Sequence, residues 1–219
     1  AVVNYLALLG WTPKSNEEIF MPDEIIQEFD MLRVSKSSAT FDEQKLEWVS
    51  GYHFSRWSTE DLAPPVVEKL QNSGLIDEDY DAEYVHAVVE LLKTKVKTLY
   101  DFALQGAYFW EEPTDFDEKP SKKYWSSEET SQLLDEWASQ LRDISDFSRD
   151  NLEEELRSFA EENGIKAAEL IHPTRLAITG TGVSPGIFSV MELIGKERLI
   201  QRIEHASKIL PKDNRKQHG

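Results

Sequence analysis

Residues 126–143 read SSEETSQLLDEWASQLRD, and the fold class turns on how that stretch is read. Counted from Leu133, the apolar residues Leu134, Trp137, Ala138 and Leu141 follow at one, four, five and eight positions. Steps of that kind gather on one stripe of an α-helix, whereas a half-buried strand alternates with a period of about two. The stretch opens on Ser126-Ser127-Glu128-Glu129, a serine with glutamate three residues on, which is the spelling of a capping box at a helix start.

The same reading extends in both directions. Downstream, Ser148 or Asp150 starts a helix that carries Leu152, Leu156 and Phe159 and stops at Asn163-Gly164. Ile165 to Leu170 is short, and Leu176-Ala177-Ile178 reads as a brief strand or an extended stretch. Two further helices run from Pro185 to Leu193, stopped at Gly195, and from Lys196 to Leu210, stopped before Pro211. Upstream, Asp77 to Leu92 carries a stripe of Tyr84, Val85, Val88, Val89, Leu91 and Leu92. Asp42, Ser58 and Thr98 stand as caps of three more helices, the first with Leu46, Trp48 and Val49 on one face. Val2 to Leu9 ends an apolar helix closed by Gly10, and Pro22-Asp23-Glu24 opens another. Glu111 to Lys123 has two prolines and few apolar residues, and is the candidate linker or domain boundary. The expected architecture is all-α in two helical lobes, residues 1–110 and 111–219.

Composition narrows the function. The 219 residues include 10 Phe, 7 Tyr and 6 Trp, side chains that need a core and exclude a disordered chain. The absence of cysteine removes a disulfide framework, a thiolate zinc site and a Cys nucleophile. No apolar run reaches the roughly 18 residues of a membrane span. The opening AVVNYLALLG lacks the basic start and cleavage site of a signal peptide. With no initiator Met and an apolar helix at its first residue, the chain is expected to be a segment of a longer one.

The net charge is −17, which argues against nucleic acid as a partner, but the charge is uneven. Residues 1–100 are net −9, residues 101–170 net −12, and residues 171–219 net +4. The basic residues of the last stretch are Arg175, Lys196, Arg198, Arg202, Lys208, Lys212, Arg215 and Lys216. They form either a solvated helix face with a basic tail or a surface for phosphate.

Most catalytic signatures are missing. There is no phosphate loop and no His-x-x-x-His pair, and 41 carboxylates make chance acid pairs the default. The segment Thr179-Gly180-Thr181-Gly182-Val183-Ser184-Pro185-Gly186 nearly spells a dinucleotide fingerprint, but no βαβ pattern surrounds it. Ser184 instead suits the N-cap of the next helix, with Pro185 at its first position and the glycines forming a flexible loop. Arg175 upstream and Phe188 downstream would add a charge and a stacking face. The set is either a capped helix with a surface arginine or a site for single-stranded RNA. Val34-Ser35-Lys36-Ser37-Ser38 echoes the ATP-binding lysine loop of class I aminoacyl-tRNA synthetases, but the nucleotide-binding fold that such a loop needs is not there.

Three blocks, in order, resemble the C-terminal half of a bacterial-type glutamyl-tRNA synthetase. They are Asn4-Tyr5-Leu6-Ala7-Leu8-Leu9-Gly10-Trp11, then Arg33-Val34-Ser35-Lys36-Ser37-Ser38-Ala39-Thr40-Phe41-Asp42 with Lys45-Leu46-Glu47-Trp48, and finally Pro173-Thr174-Arg175-Leu176-Ala177-Ile178-Thr179-Gly180 through Leu193-Ile194-Gly195-Lys196-Glu197-Arg198. The resemblance implies a stem-contact helical region leading into the start of the anticodon-binding domain over 1–110. A cage-like anticodon-binding helical subdomain then occupies 111–219. It implies a role in positioning tRNA(Glu), and in some relatives tRNA(Gln), with no catalytic residue and no metal in this segment. ATP and glutamate would belong to the full-length enzyme only.

By the same resemblance, Arg175, Ser184, Pro185, Gly186 and Ile187 contact anticodon bases, with Phe188 beside them. Lys95 falls where the family uses an arginine to discriminate the third anticodon base. A lysine lacks the planar fork of arginine and would read a base edge less strictly. A monomer acting in the cytoplasm, without a membrane, is the expected setting, and the chain by itself is expected to be inactive in aminoacylation. The alternative is an acidic helical module that docks a protein through residues 101–170 and has no RNA role.

Overall fold

The computed structural model describes residues 1–36 and 38–209. Ser37 and the predicted helix end at Leu210 and Pro211 lie outside the described residues, as do the basic positions Lys212, Arg215 and Lys216. The described residues form twelve α-helices and two short 3-10 turns. Outside the helices there is one isolated antiparallel bridge, between Trp11 and Val34. The expected all-α class is what the chain adopts. No helix among the described residues is long and apolar enough to cross a membrane.

The chain divides into two compact units at Gly106/Ala107. The first holds α1 (Val2–Gly10), α2 (Pro22–Glu28), α3 (Glu43–Arg56), α4 (Thr59–Asn72), α5 (Ala82–Leu92) and α6 (Leu99–Gly106). Here α4, α5 and α6 pack on one another around Leu62, Val66, Val88, Val89 and Phe102, all fully buried. The caps at Asp42, Ser58 and Thr98 form as the sequence suggests, each side-chain oxygen accepting a backbone N–H three residues on. Trp48 departs from its expected place, since it stands about half exposed while Val49 is buried. The helix expected from Asp77 begins only at Ala82. Asp77 folds back onto the Asp79 N–H at 3.0 Å, and Asp81 caps the helix by accepting from Glu83 and Tyr84. Local aspartate bonding outcompetes the helix over those five residues.

The second unit holds α7 (Glu118–Tyr124), α8 (Glu128–Asp143), α9 (Arg149–Glu162), α10 (Ala167–Thr179), α11 (Ile187–Ile194) and α12 (Lys196–Ile209). The amphipathic α8 packs on α12 and buries Leu134, Trp137, Ala138 and Leu141, with Trp137 against Phe159 of α9 at 5.4 Å between ring centroids. Its cap is Ser127, one residue later than the spelling suggested. On the other side α10 is surrounded by α7, α8, α9, α11 and α12.

Two expectations are corrected in this unit. Leu176-Ala177-Ile178 is neither strand nor extended; it is the last turn of α10. Pro173 inside that helix removes only the donor for the carbonyl of Glu169, a residue exposed to water, so the helix runs through. Gly180, at φ 75°, then ends it by donating its N–H to the Leu176 carbonyl. The candidate linker Glu111–Lys123 is likewise no linker. It contains α7, its residues Glu112 and Asp117 bond to Arg202 and Gly182 within the second unit, and the division between the units falls before it.

Candidate nucleic-acid interface

Helix α10 places Arg175 half-buried at the mouth of the loop between α10 and α11. Among the described residues the guanidinium bonds through Nη1 alone, which donates to the Ser184 hydroxyl and to the Pro185 carbonyl at 3.0 Å. Burial pulls the Arg175 pKa below its ordinary value, but an arginine keeps its charge at neutral pH. Arg175, Ser184, Pro185 and Gly186 are thus gathered at one point.

The expected cap is not there. Ser184 does not cap α11, because its hydroxyl is engaged by Arg175 and donates to the Pro185 carbonyl at 2.9 Å. The cap position belongs to Gly186, with no side-chain bond, and Pro185 is buried outside the helix. Ile187 and Phe188 turn inward, at 4% and 9% exposure, so the Phe188 ring is core and not a stacking face. The apolar side chain that the loop does present is Val183, 86% exposed, which sequence reasoning passed over. The amides of the first α11 turn have no carbonyl within their own helix to bond.

Nor is the glycine loop loose. The Gly182 N–H donates to Asp117 Oδ2 at 2.8 Å, and the Asp117 N–H donates to the Gly180 carbonyl at 2.8 Å. A Cβ on Gly180 would lie 2.6 Å from the Asp115 carbonyl oxygen, and one on Gly182 2.5 Å from the Pro120 ring. These glycines serve close approach of two backbones. Thr179 and Thr181 add hydroxyl bonds inside the loop, the shortest from Thr181 to the Val183 carbonyl at 2.6 Å.

Beside Arg175, one turn back on α10, His172 stacks on Tyr124 with ring centroids 4.5 Å apart and planes 11° from parallel. Burial first, then the charges of Arg175 and Lys123, lower the His172 pKa and favour the neutral ring. Sequence reasoning missed this pair, although the spacing of three residues from Arg175 on a helix was a usable signal.

Several basic residues of the C-terminal stretch are used inside the fold. Arg202, 3% exposed, donates to the Ile178 carbonyl at 2.6 Å, the Glu111 carbonyl at 3.0 Å and the Glu112 carboxylate at 2.5 Å. Arg198 donates to the Phe109 carbonyl at 2.8 Å, and Lys196 to the carbonyls of Arg142 and Ile144 at 2.7 Å each. The reading of these three as a phosphate-facing surface is therefore corrected: they satisfy carbonyls at and just beyond helix ends.

Lys95 lies in the first unit, exposed in the turn after α5. Its neighbours Lys93 and Lys97 pair with Glu90 and Glu47 at 2.6 Å each. Lys95 has no carboxylate partner among the described residues. The first unit also contains a cleft of about 710 Å³ lined by Asn4, Phe20, Ile25, His53 and Trp57 among others, which holds none of the anticodon-contact candidates named from the sequence. No cluster of three metal-ligating side chains occurs among the described residues.

Comparison with known proteins gives these positions a context. The family described as "Anticodon binding domain" matches residues 59–207, and that described as "tRNA synthetases class I (E and Q), catalytic domain" matches residues 1–48. The chain is 40% identical over 210 residues to glutamate–tRNA ligase 1 of Caldanaerobacter subterraneus subsp. tengcongensis, covering 96% of this chain and 44% of that protein. It is 37% identical over 211 residues to the glutamate–tRNA ligase of Moorella thermoacetica, covering 95% and 43%. The crystal structure of a glutamate tRNA ligase from Elizabethkingia meningosepticum, in complex with its amino acid, superposes with a TM-score of 0.84 at 32% identity. That superposition covers 96% of this chain and 41% of the solved one. The chain thus spans less than half the length of the relatives it matches.

Proposed function

Because the chain belongs to the anticodon binding domain family, in the form found in glutamyl-tRNA synthetases, we propose that it binds tRNA(Glu) and reads the anticodon around Arg175. The observation that carries this is the one-sided tie of Arg175. With Nη1 held by Ser184 and Pro185, and no bond from Nε or Nη2 among the described residues, that edge offers two parallel donors. That fork matches a base edge or a phosphate. Ile187 and Phe188 contribute through their backbone amides at the α11 start, and Val183 offers an apolar face to an unstacked base. Lys95 reads the third anticodon base through a point charge, which admits tRNA(Gln) more readily than an arginine would.

ATP and glutamate belong to the whole enzyme, through a catalytic domain of which residues 1–48 match one part. The reading carries with it a monomeric, cytoplasmic protein. The purified chain is expected to show no ATP-dependent glutamylation of tRNA, and measurable charging would overturn that assignment.

The test of the function is a titration with tRNA(Glu) and an anticodon-swapped transcript at two salt concentrations. Base readout gives a preference for the native anticodon that survives higher salt. Equal binding of both transcripts that fades together would leave only phosphate contact and sink the proposal.

A further inference from the structure

Asp117 occupies the N-cap of α7, yet its carboxylate does not cap its own helix. It reaches instead across 65 residues of sequence to the Gly182 N–H, while its own N–H returns a bond to the Gly180 carbonyl. Two antiparallel bonds therefore pin the loop just before Val183, Ser184 and Pro185. The fit is tight on both sides, since neither Gly180 nor Gly182 has room for a Cβ against residues 113–120. A cap residue that forgoes its helix leaves first-turn amides unsatisfied by it. Its bond therefore serves something other than α7.

The geometry points to Asp117 as a positioning residue for base discrimination: it sets the loop that presents Arg175, Ser184 and Pro185 without touching RNA itself. This rests on the anticodon reading above. The inference has an unusual sign. A carboxylate beside a polyanion weakens binding of every RNA alike, so charge alone makes its removal favourable. A brace makes removal costly, but only in the difference between right and wrong anticodons. Asparagine separates the two effects, because its Oδ1 still accepts the Gly182 N–H after the charge has gone.

The experiment titrates wild type, Asp117→Ala and Asp117→Asn with tRNA(Glu) and an anticodon-swapped transcript, and follows exchange of the Gly182 amide hydrogen. The expected result is a roughly five- to tenfold fall in the native-to-swapped ratio for Asp117→Ala, the scale of one ordinary hydrogen bond. Asp117→Asn keeps the ratio, and Gly182 exchanges fast only in Asp117→Ala. Tighter binding of both transcripts by Asp117→Ala at an unchanged ratio would overturn the inference, as would an unprotected Gly182 amide in wild type. If wild type shows no preference while Gly182 is protected, the anticodon reading fails and the positioning role falls with it. Should Asp117→Ala fail to fold, Gly182→Ala drives a Cβ into Pro120 with Asp117 intact. It is expected to lower the ratio as well, and an unaltered ratio there counts against the brace.

Discussion

Arg175 donates from Nη1 to the Pro185 carbonyl at 3.0 Å, across the loop that joins α10 to α11. One end of the guanidinium is thereby fixed by the protein, while the other makes no bond among the described residues. Replacing it removes both the tie and the fork. Arg175→Ala is expected to lose roughly 1–3 kcal/mol of tRNA(Glu) binding, with little loss for the swapped transcript. Arg175→Lys is expected to recover less than half of that, because a single ammonium cannot hold Pro185 and a base edge together. Isothermal titration of the three proteins against both transcripts checks the ordering.

Gly180 and Gly164 both have positive φ, 75° and 66°, but differ in surroundings. A Cβ at Gly164 meets nothing within 4 Å, while one at Gly180 meets the Asp115 carbonyl at 2.6 Å. Gly164→Ala is expected to cost about 1 kcal/mol from backbone strain alone. Gly180→Ala adds the clash and should cost roughly 2–3 kcal/mol. Urea unfolding of the two variants side by side gives the comparison, and equal losses would mean that the loop simply moves away.

Arg202 bonds two backbone carbonyls as well as Glu112, so its loss leaves the Ile178 and Glu111 oxygens unpaired. Arg202→Met is expected to destabilise by about 2–3 kcal/mol, below the range for a fully buried pair because Glu112 stays partly in water.

Burial alone would raise the Glu112 carboxyl, but hydrogen bonds and charge from Arg202 and Arg198 outweigh it and hold the pKa below its ordinary 4.5. A depressed carboxyl stabilises the fold above its unfolded value, and that contribution is lost as pH falls through the folded one. The stability difference between wild type and Glu112→Gln should therefore be constant above about pH 5.5 and shrink below 4.5. Thermal unfolding across that range reads it directly.

Lys95 is exposed and has no carboxylate partner among the described residues, so Lys95→Arg should leave stability within about 0.5 kcal/mol. If it reads the third anticodon base, the arginine variant should discriminate tRNA(Glu) from tRNA(Gln) more sharply than the wild type. An unchanged ratio between the two tRNAs would remove Lys95 from the interface.

What the sequence made legible follows from how local each signal is. The α8 stripe from Leu133 to Leu141 is amphipathic, and its period alone places Trp137 in the core. Helix α11, IFSVMELI, is apolar nearly all round, so no period shows which way Phe188 turns, and only packing decides. Leu176-Ala177-Ile178 is too short a window to distinguish strand from helix once Pro173 breaks the count. Residues 111–123 look like a linker because polar bonds hold them, Glu112 to Arg202 and Asp117 to Gly182, with partners many residues away. The identities of Arg175, Ser184 and Pro185 were visible through resemblance. Their mutual hydrogen bonds were not, because Ser184 has a plausible local job as a cap that its contact with Arg175 supersedes.

Lys196, Arg198 and Arg202 spend donors on backbone carbonyls, so three of the eight basic residues of the C-terminal stretch are already engaged by the fold. The chain as a whole carries −17. On the anticodon reading, encounter with RNA gains no long-range attraction from that net charge, and the first collision is slowed by repulsion instead of being funnelled. Added salt should quicken the approach by screening that repulsion, even as it weakens the phosphate contacts that hold the complex once formed. The internal use of three cations thus separates the speed of recognition from its strength.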